Sequence, residues 1–92
     1  MKVRLEAARL MVYHAAWTKQ SGGPAAAASS AAKLFASEAL VQSCLDAVQV
    51  HGGYGYTTEY GMERQLRDAV GSRIYSGTSD IQRAIIARSL GV

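Results

Sequence analysis

The chain has 92 residues and one cysteine, Cys44, which leaves room for one small domain and excludes both a disulfide framework and a cysteine-rich zinc site. Its net charge of +3 comes from three lysines and seven arginines scattered without a run of like charge, so no basic stripe tracks a nucleic-acid backbone. With 49% apolar and 18% charged residues it is too hydrophobic for a disordered chain, yet no apolar stretch is long enough to cross a bilayer and no signal-peptide core opens the sequence.

The first predicted element is a helix over residues 2–20. Val3, Ala7, Leu10, His14 and Trp17 follow one another at helical spacing and form a seam, while Lys2, Glu6, Arg9, Tyr13 and Gln20 line the other side. A second stripe, Leu5, Ala8, Val12 and Ala15, predicts packing against two neighbours. On the apolar seam, His14 is expected as a buried, hydrogen-bonded core histidine. Met1 and Lys2 offer no cap, so the chain is expected to begin inside a helix of a longer protein.

Ser21-Gly22-Gly23 ends that helix, and Pro24 stands where a first helical turn tolerates it. The second helix is predicted over 24–51, about 40 Å long at about 1.5 Å per residue. Its alanine tract is helix and not linker, because alanine is the best helix former and leads straight into a patterned segment. Ala28, Ala32, Ala36, Ala39, Ser43 and Ala47 make a small stripe that allows close approach of another helix, and Leu34, Val41, Leu45 and Val48 supply bulk beside it. Cys44 is expected to act as a small buried hydrophobe in a reducing compartment. His51 ends the helix, where a positive charge suits the dipole.

Gly52, Gly53 and Gly55 predict a loop that permits positive φ and lets another molecule approach bare backbone; an ordinary helix-ending loop is the plainer alternative. No strand precedes it, so it is not a dinucleotide fingerprint. A third helix is predicted over 59–70, patterned from Met62 and closed by Gly71, and a fourth over 79–90. Ser79 and Gln82 have the form of a capping box, with Ile81, Ala84 and Ile85 as the apolar face. No strand-like alternation competes. The expectation is a single all-α domain, an antiparallel four-helix bundle that self-associates, soluble and cytoplasmic.

Chemistry concentrates in the stretch Ile74 to Arg83, "IYSGTSDIQR". Amides of Thr78, Ser79 and Asp80 at a helix start suit an anionic or strongly accepting ligand, although Asp80 opposes a naked phosphate and a plain helix cap explains the same residues. Ser76 as a nucleophile needs an adjacent base. Only His14 and His51 are available, and nothing in the sequence brings either to it. Asp, Glu and His show no repeated spacing of metal ligands.

Together, "QVHGGYGYTTEY", "RQLRDAV" and "RIYSGTSDIQRAIIAR" resemble the C-terminal part of the acyl-CoA dehydrogenase family in three separated motifs and in the family's order. The resemblance covers essentially all of this chain but only the last part of a typical member, whose N-terminal helical domain, middle β domain and earlier C-terminal helices lie outside it. It implies a flavoenzyme that takes the α-proton and a β-hydride from an acyl-CoA thioester, with the hydride going to FAD and the electrons later to an electron-transfer flavoprotein. It implies that Gln49, Val50, His51, Gly52 and Gly53 lie against the FAD of a neighbouring subunit, that Thr78, Ser79 and Asp80 touch FAD, and that Tyr75 and Gly77 border the substrate. Arg67-Asp68 matches a family hallmark read here as a structural ion pair.

The sequence departs from the family's pattern at two places. Where many members carry a glutamate base in a Tyr-Glu-Gly-Thr pattern, this chain has Ser76, whose hydroxyl cannot act as a base near neutral pH unaided. The amide of Ser76 survives the change, and in the family that amide helps polarise the thioester carbonyl. Some branches place the base on an earlier helix; Asp80 lies one turn too late to be an obvious substitute, and Glu59 or Asp68 needs support from the structure. The other departure is Gly61, where relatives often carry proline. The chain is therefore expected to be the C-terminal module of such an enzyme, incapable of turnover alone. The rival from a different class is a non-catalytic helical interaction module.

Overall fold

The alanine-rich stretch after Pro24 becomes the axis of the molecule. In the computed structural model, which describes all residues Met1–Val92, the elements are α1 (Lys2–Gln20), α2 (Ala26–His51), α3 (Gly53–Tyr56), α4 (Met62–Gly71) and α5 (Ser79–Ser89). Helix α2 touches each of the other four, whereas α1 touches neither α4 nor α5. The Arg4–Asp46 ion pair at 2.6 Å joins the start of α1 to the end of α2, which makes this pair antiparallel. Helix α4 also runs against α2, with Met62 and Gln65 beside Ala47 and Ser72 bound by Lys33. Helix α5 does the same, from Ser79 at Glu38 to Ile86 near Ala28. The architecture is the expected all-α bundle, with one central helix that the others line.

Small side chains on α2 permit this. Ala32 and Val41 are buried there, and Ala15 of α1 and Ala69 of α4 complete the buried apolar set; no large side chain is fully enclosed. Such a thin core leaves much surface open. The accessible area is 6484 Å², against about 5,200 Å² for a compact monomer of this mass. The radius of gyration is 15.4 Å, against about 12 Å for a compact chain of this length. No helix is long and apolar enough to cross a membrane.

Several local expectations are corrected. Helix α1 meets one neighbour instead of two: Ala8 and Ala15 face α2, while Val3 (81%), Leu10 (66%) and Trp17 (65%) lie open to solvent. His14 shares that open side and is exposed, its ring centroid 6.4 Å from that of Trp17. Helix α2 begins at Ala26, not residue 24, because its first backbone bond runs from Ser29 N–H to the Ala25 carbonyl and leaves Pro24 outside. The glycine loop contains one helical turn, α3. Helix α4 starts at Met62, not 59, because Gly61 takes φ +76, a left-handed conformation that a proline ring forbids. Cys44 is only half-buried.

Candidate functional site

Between α4 and α5 the chain unwinds and reverses. Ser72, Arg73, Ile74 and Tyr75 continue from α4 as turns bonded to the carbonyls of Ala69, Val70 and Gly71. Ser76 then adopts φ 55, the only left-handed residue in the chain that is not glycine, and Gly77 follows at φ 92. A left-handed conformation disfavours an L-residue and persists only where its surroundings fix it. Here the surroundings are two charged side chains of α2. Lys33 Nζ donates to the Gly77 carbonyl at 2.7 Å and to the Ser72 carbonyl at 2.8 Å, gripping the turn on both sides. Glu38 accepts from Ser79 Oγ at 2.8 Å and from Arg73 at 3.4 Å. The Ser79 hydroxyl, supported by the Arg73 guanidinium and against partial desolvation, holds the Glu38 carboxyl below its ordinary pKa.

The cap of α5 differs from the expected capping box. Thr78, not Ser79, is the N-cap: its Oγ1 accepts from Ile81 N–H at 3.2 Å. Ser79 is buried against Glu38, and Gln82 is also buried, its amide reaching toward the Gly77 carbonyl at 3.4 Å. Of the apolar face expected from Ile81, Ala84 and Ile85, Ile81 and Ala84 are turned outward and Ile85 is half-buried, because the polar bonds of Ser79 and Gln82 fix the rotation of the helix. Of the amides expected to be free, that of Ser79 is taken by the Arg73 carbonyl at 3.0 Å. The N–H groups of Ser76, Gly77, Thr78 and Asp80 have no hydrogen-bond partner within the chain. The turn therefore displays a row of free donors just where the α5 dipole is positive.

At the far end of α2, Gly52 has φ 64 and ψ −146, and a Cβ at Gly52 or Gly53 would meet nothing within 4 Å. This backbone is open to another molecule. Gly55 is different: a Cβ there would lie 2.6 Å from the Val48 carbonyl oxygen, so this glycine serves the packing of α3 on α2. Gln49, Val50 and His51 are exposed beside it, with His51 Nδ1 2.8 Å from the Ala47 carbonyl. Measured along α2 from Lys33, which holds Gly77, to His51, this loop and the Ser76–Gly77 turn are about 27 Å apart, so the chain presents them as two separate places.

The remaining candidates do not assemble. No hydrogen bond joins Ser76 to His14 or His51, which removes the arrangement a serine nucleophile requires. Arg67 and Asp68 are both exposed and form no ion pair, contrary to the expectation, because adjacent helical residues point in different directions. Asp80 pairs only with Arg83, at 3.0 Å and in full solvent. No group of His, Cys, Asp or Glu could hold a metal ion. The side chains that sequence reading missed are Lys33 and Glu38, while Gln82 stands out in the sequence but for a different bond. A signal existed for both: Lys33 and Glu38 are the only charges between Pro24 and Leu45 on an otherwise small and apolar helix.

The family profile described as acyl-CoA dehydrogenase, C-terminal domain, matches residues 1–91. The chain belongs to the acyl-CoA dehydrogenase family. An acyl-CoA dehydrogenase of Bacillus subtilis (strain 168) is 52% identical over 90 residues, which are 98% of this chain and 24% of the relative. Among solved structures, the FAD complex of PigA matches with a TM-score of 0.94 at 50% identity, covering 99% of this chain and 24% of that one. The prolyl acyl carrier protein oxidase AnaB matches at 0.95 and 52% identity, covering 100% and 24%. The chain thus spans about a quarter of the length of the family members it matches.

Proposed function

We propose that this chain acts as the C-terminal domain of an FAD-dependent enzyme that oxidises the α,β-bond of an acyl thioester, and that its Ser76–Asp80 turn is the wall of the site it contributes. The row of unpartnered amides at Ser76, Gly77, Thr78 and Asp80 carries this reading. A donor row on a fixed, strained turn suits a thioester carbonyl and an anionic dinucleotide, since preorganised amides aimed at developing charge need not reorient during reaction. The residues present fit FAD: the free amides of Thr78 and Asp80 at the helix start, held in place by Ser79, whose own hydroxyl and amide are engaged by Glu38 and Arg73, and Gln49, Val50, His51, Gly52 and Gly53 where bare backbone is open. When bound, FAD supplies the hydride acceptor.

The chain's own part is binding and orientation. Tyr75 and Gly77 border the thioester, and the Ser76 amide donates to its carbonyl, which acidifies the adjacent α-carbon. The Ser76 hydroxyl is not the base, because it has no partner to take its proton; the base comes from another segment of the complete fold. The separation of about 27 Å along α2 between the two places supports contact with the flavins of two subunits, one at the turn and one at the Gly53 loop. Acyl-CoA is the proposed substrate and an electron-transfer flavoprotein the proposed electron acceptor.

A second reading, a non-catalytic helical module that self-associates, is favoured by the open apolar side of α1 and by an apolar groove of about 500 Å³ between Leu5, Ala8, Ala36 and Leu40. One experiment separates the two. These 92 residues replace the corresponding C-terminal quarter of a flavin-binding relative, and the purified chimera is examined for absorbance at about 450 nm and for its bleaching by an acyl-CoA without oxygen. Retained, bleachable flavin supports the enzyme reading. A colourless chimera that forms discrete oligomers supports the module.

A further inference from the structure

Lys33 is the one lysine in the chain whose ammonium is surrounded by backbone. Its Nζ bonds the carbonyls of Ser72 and Gly77, on the two sides of the reversal, and no carboxylate lies within ion-pair distance of it. An ammonium has three donors, a full charge and a flexible stem, so it can pull two carbonyls toward one point. Both carbonyls belong to peptide planes that define the turn. Fixing the Gly77 carbonyl fixes the plane shared with Thr78, and so the direction of the Thr78 N–H. The Ser72 bond anchors the other strand of the reversal. Between them Ser76 is left at φ 55 and Gly77 at φ 92; the Ser76 side chain makes no bond, and the Gly77 carbonyl has the shorter bond from Lys33 and a longer one, at 3.4 Å, from Gln82. Glu38, about one and a half turns along α2, ties Arg73 and Ser79 in the same manner from the opposite charge.

We propose that Lys33 is a positioning residue: its bonds to the Ser72 and Gly77 carbonyls impose the left-handed turn at Ser76–Gly77 and thereby aim the free amides of Ser76, Gly77 and Thr78. Lys33 touches no reacting atom in this account and acts through the loop. The catalytic consequence rests on the enzyme reading above, whereas the dependence of the turn on Lys33 does not.

The test is amide hydrogen exchange on the chain itself, read at Arg73, Ile74, Tyr75 and Ser79, whose N–H groups are bonded within the turn. K33M is expected to speed exchange at these amides by about tenfold or more while α1 and the body of α2 exchange as before. K33R, which keeps the charge and can still reach two acceptors, is expected to stay within about threefold of the parent chain. Exchange in K33M no faster than in the parent, loosening of α1 as large as that of the turn, or K33R as fast as K33M would each overturn the proposal. In the chimera, K33M is expected to lower kcat for thioester oxidation by about tenfold with flavin retained. Should the parent chimera bind no flavin, the enzyme reading fails while the exchange result stands by itself.

Discussion

The Ser79 hydroxyl at the first turn of α5 donates to Glu38 Oε1 in the middle of α2 at 2.8 Å, and this bond sets the rotation of the last helix. Replacing Ser79 by alanine leaves a carboxylate without its best donor. S79A is expected to cost about 1 kcal/mol in urea unfolding, at the low end for a bond to a charged group because Glu38 keeps solvent contact. The same bond fixes a pH dependence. Glu38 is held below its ordinary pKa, first by Ser79 and then by Arg73, so its contribution is complete above the ordinary glutamate pKa and is lost as pH falls through the lowered value in the fold. Acid titration of stability is therefore expected to be shallower in S79A than in the parent.

Gly77 is required by its backbone more than by its space. At φ 92 an alanine is strained, and its Cβ would also sit 2.6 Å from Gln82 Nε2. G77A is expected to cost about 1–3 kcal/mol, and because the nearest atom is the end of a side chain, most of that cost should remain when Gln82 is also alanine. A double-mutant cycle by urea denaturation checks this; full recovery in G77A/Q82A would assign the cost to the clash instead of the turn.

Two neighbouring glycines should behave oppositely. A Cβ at Gly55 meets the Val48 carbonyl oxygen at 2.6 Å and the His51 Cβ at 2.8 Å, neither of which can move aside cheaply. G55A is expected to destabilise by about 1–3 kcal/mol. A Cβ at Gly53 meets nothing, so G53A should change stability by no more than about 0.5 kcal/mol. If the open backbone there receives a flavin, G53A should nevertheless reduce flavin content in the chimera, measured by absorbance per protein.

In the proposed enzyme Ser76 supplies its amide and not a base. S76A keeps the amide and is expected to leave thioester oxidation within about threefold, whereas loss of a general base lowers rate by about a hundredfold or more. Single-turnover bleaching of the flavin distinguishes the two.

The sequence carried the helices, their order and the family resemblance, since alanine content, helical spacing and glycine breaks are local signals. What stayed hidden was rotation and partnership. Periodicity puts Ile81, Ala84 and Ile85 inward, but the bonds of Ser79 and Gln82 turn Ile81 and Ala84 to solvent and leave only Ile85 half-buried. The capping box was misplaced by one residue because Thr78 and Ser79 are both competent caps, and only the pull of Glu38 on Ser79 decides between them. His14 and the stripe of Val3, Leu10 and Trp17 have the pattern of a core but lie open, which local periodicity cannot distinguish from a surface awaiting a partner. The free amides of the turn are half legible: a helix start shows in the sequence, but the capture of the Ser79 amide by the Arg73 carbonyl, six residues back, depends on how the turn folds and has no spacing signature.

The most direct measurement is hydrogen exchange at Ser76, Gly77, Thr78 and Asp80 in the chimera, with and without FAD and a non-reacting acyl thioester. These four N–H groups have no partner in the chain alone and are expected to exchange freely there. Slowing by about tenfold or more at these positions when both ligands are bound is the result the account predicts. Flavin bound and thioester seated, with all four amides still exchanging at the free rate, would contradict it.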